Sequence, residues 1–136
     1  MPPFNNFTTK AKESIRKAHE LAVERGQNHV NSLHMLMALL VQEDSLVVSI
    51  LDKMEIDTRL MIDNLIEKTE SPENRNTISA SYQIYLTPDL AQVIEGSAKI
   101  AIEMKDEFVS TEHLFISLLE VQGEARDLLL RFKIEK

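Results

Sequence analysis

The sequence predicts an all-α domain built from two copies of one small helical unit, and three observations carry that prediction. The first is an internal repeat. A shift of 79 positions carries Phe7-Thr8 onto Leu86-Thr87, Ile15 onto Ile94, Ala22 onto Ala101, Val30 onto Val109, His34 onto His113, and Leu39-Leu40 onto Leu118-Leu119. After Gln42 the register slips by one, so that Ile50-Leu51, Met54 and Ile56 fall on Leu128-Leu129, Phe132 and Ile134. A period this long lies outside the roughly 20–50 residues of solenoid units. The second is composition: three glycines and four prolines are too few for the many tight turns of a sandwich or barrel. The third is apolar spacing at helical period among residues that favour helices.

Each copy opens with a threonine cap. Thr8 accepts a first-turn N–H with Phe7 before it as a staple, and Ala11, Ile15, Ala18 and Ala22 then form one face. Gly26 should end that helix. Thr87 repeats the start, with Pro88 at the first helical position and a stripe of Leu90, Ile94, Ser97, Ala101 and Met104. Small side chains at Ala18, Ala22, Ser97 and Ala101 permit close helix approach. A second, nearly all-apolar helix opens at Ser32, with its twin at Thr111, and these two read as the buried centre. A short third helix follows Ser45 and is matched around Ala125 to Leu129. Asp57 caps a fourth helix carrying Leu60, Met61, Leu65 and Ile66.

The expected layout is one domain over residues 1–136, with repeat one at 7–70, a linker at 71–85 and repeat two at 86–136. That makes about seven or eight helices in a pseudo-twofold pair. The second copy reaches Ile134 where the first begins its fourth helix, so most of that helix is missing, as in a fragment of a longer chain.

Composition narrows function. The net charge of −7 opposes sequence-independent nucleic-acid binding, which needs clustered Lys and Arg. No apolar run approaches the ~20 residues of a membrane span, and the N-terminus lacks signal-peptide features, so a cytoplasmic location is expected. Without cysteine there is no disulfide, thiol catalysis or cysteine-ligated zinc. His34 and His113 stand alone in their copies, without a second ligand at i+4, so no metal site is expected. They read as locally bonded near their helix starts, and His19 and His29 as surface groups. The methionines read mostly as core. Ser14, Ser49 and Ser97 sit in helical segments without a nucleophile turn, so no catalytic residue is assigned.

The strings FTTKAKESIRKAHELA, HVNSLHMLMALL, LTPDLAQVIEGSAKIA and FVSTEHLFISLLE resemble the two Clp repeats of the N-terminal domain of Clp-family ATPases, of the ClpB and ClpC type. The resemblance covers Phe7 to about Ile134. It implies a module at the entrance of a hexameric AAA+ unfoldase that engages unfolded or tagged substrates and adaptor proteins, the isolated domain being a monomer. A free-standing adaptor or inhibitor without an ATPase is the alternative. No G-x-x-x-x-G-K-[ST] is present, so these residues hold no Walker phosphate cradle and no cofactor is expected.

The same resemblance implies the site residues. Thr8 and Thr87 match threonines that contribute to substrate or phosphoarginine pockets, beyond their role as caps. Glu112 matches a second-copy glutamate used in ligand binding, where a carboxylate suits a guanidinium. Its simpler role is to complement the helix dipole. Asp106, six positions earlier, matches an aspartate of ClpB-type domains. Leu33 replaces the first-copy glutamate of the ClpC pattern, so at most one phosphoarginine pocket is expected, around Glu112.

Overall fold

The computed structural model describes residues 6–27, 29–70, 85–132 and 134. In chain order they form α1 (Thr9–Glu24), β1 (His29–Val30), α2 (Ser32–Val41), α3 (Leu46–Lys53), α4 (Thr58–Glu70), β2 (Tyr85–Leu86), α5 (Pro88–Glu103), α6 (Thr111–Glu120) and α7 (Glu124–Arg131). The class is all-α, and the expected pair of copies is α1–α4 followed by α5–α7. Among the described residues the second copy has no counterpart of α4.

The helix starts follow their side chains. Thr8 has extended backbone, and its hydroxyl accepts from the Ala11 N–H at 3.1 Å. Thr87 does the same for the Leu90 N–H at 3.4 Å, with Pro88 following it. Ser45 caps α3 through the Val48 N–H at 3.2 Å, and Asp57 caps α4 through the Leu60 N–H at 3.0 Å. The ends of α1 and α5 also match in backbone. Gly26 has φ 68, and Lys105, its equivalent, has φ 61. Only the first copy uses the residue that adopts this conformation without steric cost.

The two central helices are capped one residue earlier than Ser32 and Thr111 suggested. The Asn31 side-chain oxygen accepts from the N–H groups of Leu33 and His34 at 2.9 and 3.1 Å, and His34 Nδ1 accepts in return from the Asn31 N–H at 3.0 Å. In the second copy His113 Nδ1 accepts from the Ser110 N–H at 2.8 Å. Both are reciprocal capping boxes with histidine in the place usually held by Glu or Gln.

Every residue of α2 except Val41 is buried. It packs against α1, α4, α6 and α7 at the centre of the core, while α6 packs against α5. Ala18, Ala22, Ser97 and Ala101 are all buried, as small residues at a close approach should be. Closest of all is Gly96: a Cβ there would stand 2.6 Å from Ser117 Oγ, which itself donates to the Val93 carbonyl at 2.7 Å.

The copies interlock through short parallel pairings that the sequence did not reveal. β1 pairs with β2, matching His29 to Tyr85 and Val30 to Leu86, and the Thr87 N–H donates to the Val30 carbonyl at 2.9 Å. Phe7 bridges Val109 in the same sense, and the Thr8 N–H donates to the Val109 carbonyl at 2.9 Å. Thus the entry to each copy's first helix is tied to the entry of the other copy's second helix, as an approximate twofold exchange requires.

Two expectations need revision. Met104 leaves the buried stripe because it caps the end of α5, and it is 52% exposed. Met35, Met37 and Met61 are core, whereas Met54 is exposed. Of the expected linker, residues 71–84 lie outside the described residues, and Tyr85 belongs to β2.

Candidate functional site

The interlocking decides which of the four sequence-derived site residues meet. Thr8 is hydrogen-bonded to Val109, three residues before Glu112, so the start of α1 lies beside the start of α6. Asp106 joins them: its carboxylate Oδ2 accepts from His113 Nε2 at 2.8 Å. Because His113 Nδ1 already accepts from the Ser110 N–H, Nε2 carries a ring proton and donates it to Asp106. Glu112 Oε1 accepts from Ser110 Oγ at 2.8 Å. Glu112 is the acidic residue of the first turn of α6, where a carboxylate is favoured by the helix dipole.

Thr8, Asp106 and Glu112 therefore gather at one junction, with Ser110 and His113 as the residues that orient them. The sequence named His113 as locally bonded but did not name its partner. The signal that could have revealed it is a serine followed three residues later by histidine, read as a capping box. His113 is 1% exposed while the Asp106 side chain is 45% exposed, so a buried base holds a carboxylate that solvent and ligands can still reach. The end of α5 and the connection carrying Asp106 also hold out apolar side chains: Ile102 is 73% exposed, and Met104 and Phe108 are each 52% exposed.

Thr87 lies at the other, equivalent junction, bonded to Val30, which precedes Leu33 by three residues. That junction differs in chemistry. Leu33 is fully buried, and the Thr87 hydroxyl is engaged by the Asp89 carboxylate and the Leu90 N–H. Gln27 takes the place of Asp106 and is buried, donating through Nε2 to the Thr69 carbonyl at 2.7 Å, so the end of α4 closes over it. Its partner histidine, His34, is buried with Nε2 lacking a hydrogen-bond partner. Burial chiefly, and then the neighbouring charges of His29 and Arg25, push the His34 pKa down to about 4. One junction thus presents the Asp106 and Glu112 carboxylates; at the other, buried Gln27 and Leu33 stand in their places, and the Asp89 carboxylate is taken up by Thr87 and the Leu90 N–H.

Among the described residues no group of three or more His, Cys, Asp or Glu side chains is placed to hold a metal ion, and no single helix is long and apolar enough to cross a membrane.

Comparison with known proteins places this arrangement. The family model for the Clp repeat (R) N-terminal domain matches residues 6–132. The chaperone protein ClpB of Bacillus anthracis is 33% identical over 135 residues, covering 97% of this chain and 15% of that protein. ClpB of Porphyromonas gingivalis is 31% identical over 128 residues, covering 92% of this chain and 14% of its own length. The chain spans about 15% of the length of these curated relatives. In fold it is similar to the Hsp104 N-terminal domain from Candida albicans, with a TM-score of 0.82 at 21% identity, over 96% of this chain and 84% of that one.

Proposed function

The chain belongs to the Clp repeat N-terminal domain family, and from that premise we propose a recognition module that binds unfolded or tagged polypeptides, or the adaptors that bring them, for a Clp-type AAA+ unfoldase. Binding is non-catalytic and takes place at the junction of α1 and α6. The observation that carries this reading is the convergence of Thr8, Asp106 and Glu112, with exposed Ile102, Met104 and Phe108 on the stretch of chain that contains Asp106. Exposed apolar side chains near such polar groups suit an interaction surface. An unfolded segment offers apolar side chains to cover them, at roughly 25 cal/mol per Å² buried. Its basic groups or free N–H donors meet the two carboxylates. A phosphoarginine guanidinium would meet Glu112 in the same way, at this junction alone, because Leu33 offers no acceptor at the other. There Thr87 serves as a helix cap.

Shallow apolar contact with two partly solvated carboxylates gives weak, reversible binding, which suits a module that must hand its cargo onward. Glu112→Ala tests the assignment. Titration of labelled casein, or of a phosphoarginine peptide, against this variant should give a Kd about three- to tenfold weaker, on the order of 1 kcal/mol. The melting temperature should change little, since Glu112 accepts only one side-chain hydrogen bond, from Ser110. Equal affinity for the native and substituted chains would remove Glu112 from the site.

A further inference from the structure

We propose that a cleft on the first copy, between α1 and β2, docks a protein segment that presents an apolar side chain flanked by carboxylates. Lys12, Ile15, Arg16 and His19 recur along one face of α1, and Leu86 of β2 closes the cleft, which encloses about 410 Å³. Ile15 and Leu86 are half-buried, while Lys12, Arg16 and His19 are exposed. Three basic side chains and no acidic one line the cleft, in a chain whose net charge is −7. Arg16 also borders a neighbouring depression that it shares with Lys17 and with Glu13, Glu20 and Glu43. Among the described residues none of the three basic groups makes a hydrogen bond or an ion pair. Helical spacing sets Arg16 three residues after Glu13 and four before Glu20, but leaves Lys12 with only the like charge of Arg16 at i+4, so helix stability does not account for Lys12.

The internal repeat supplies the control. The equivalent positions of the second copy are Ala91, Ile94, Glu95 and Ala98 on α5, with Phe7 in the place of Leu86. There Ile94 is 2% exposed and Phe7 6% exposed, and no basic group is present. The isoleucine is common to both copies and serves the fold. The basic rim and the opening belong to the first copy alone. A partner's apolar side chain would rest on Ile15 and Leu86, and its carboxylates would meet the Arg16 guanidinium as a fork and Lys12 as a point charge. This cleft shares no residue with the Thr8, Asp106 and Glu112 junction.

The test uses two labelled peptides, EEFLEE and KKFLKK, titrated against the whole chain with amide chemical shifts followed by NMR. EEFLEE should bind more tightly and move the amides of residues 12–19 and Leu86. Its affinity should fall about fivefold or more in K12E/R16E, and also when salt is raised to about 0.5 M, where exposed charges are screened. KKFLKK should gain affinity for K12E/R16E, an outcome that misfolding cannot mimic. E112A should leave EEFLEE binding intact, which separates this cleft from the junction. Equal affinity for the two peptides, shifts centred on residues 106–112, or K12E/R16E binding EEFLEE as the native chain does would overturn the proposal. So would binding of laurate with no binding of either peptide, since the cleft would then take a small amphiphile.

Discussion

His34 and His113 occupy the same position in the two copies but meet different surroundings. Each uses Nδ1 to accept from the backbone N–H of its cap residue. His113 Nε2 has the Asp106 carboxylate, whereas His34 Nε2 is buried with no hydrogen-bond partner. Protonating His34 would break its cap and place an uncompensated charge in the core. Its pKa in the folded chain is accordingly lowered from 6.5 to about 4. The unfolded chain therefore takes up a proton near pH 6.5 that the folded chain refuses. The stability contributed is fully present above about pH 6.5 and is lost as pH falls toward 4, a difference on the order of a few kcal/mol. Urea unfolding between pH 7.5 and 4.5 should show this fall. His34→Gln keeps an acceptor for the cap and should flatten the slope; equal slopes would assign the acid sensitivity elsewhere. Thr8→Ala should cost about 1 kcal/mol through its lost cap, read from the same unfolding curves. The threonine caps were legible because Thr8 and Thr87 repeat. Asn31 and Ser110 were not, because a histidine at the third helical position is an uncommon capping partner. Gln27 was beyond sequence reading, since its partner Thr69 comes from α4, 42 residues away.

At the scale of elements, α2 and α6 were legible as the core from apolar content alone, and α2 bears this out almost residue by residue. Truncating its centre, as in Leu39→Ala, should cost about 2–5 kcal/mol by loss of buried surface and creation of a cavity. Denaturant unfolding measures it. The end of α5 was misread because periodicity continues through Met104, while the backbone turns left-handed at Lys105. A period cannot announce a break made by a residue that pays for the turn. The α5–α6 contact yields a sharper prediction. Gly96→Ala should gain up to about 1 kcal/mol in helix propensity. However, its Cβ would displace the Ser117 hydroxyl from the Val93 carbonyl and leave a buried group unpaired, at about 1–3 kcal/mol. Net destabilisation is expected, and Gly96→Ala with Ser117→Ala should recover most of it. A single variant more stable than the native chain would show that the contact yields freely.

Across the whole molecule, the duplicated unit was the most legible feature and the exchange between its halves the least. Hydrogen bonds from Thr8 to Val109 and from Thr87 to Val30 span about 100 and about 57 residues of sequence. No local pattern reports such pairings. They decide which residues meet, because they bring Thr8 to the start of α6 beside Glu112 while sending Thr87 to the start of α2 beside Leu33. The repeat thus supplies two junctions of one geometry, and only one carries acidic residues at the positions of Asp106 and Glu112, which are Gln27 and Leu33 at the other.

The central claim is that recognition belongs to the α1–α6 junction. Adding casein to the isotopically labelled chain and following every backbone amide by NMR tests it most directly. Perturbations should centre on Thr8 and on residues 102–113. Perturbations centred instead on Thr87 and residues 31–34, or spread evenly over the surface, would contradict it.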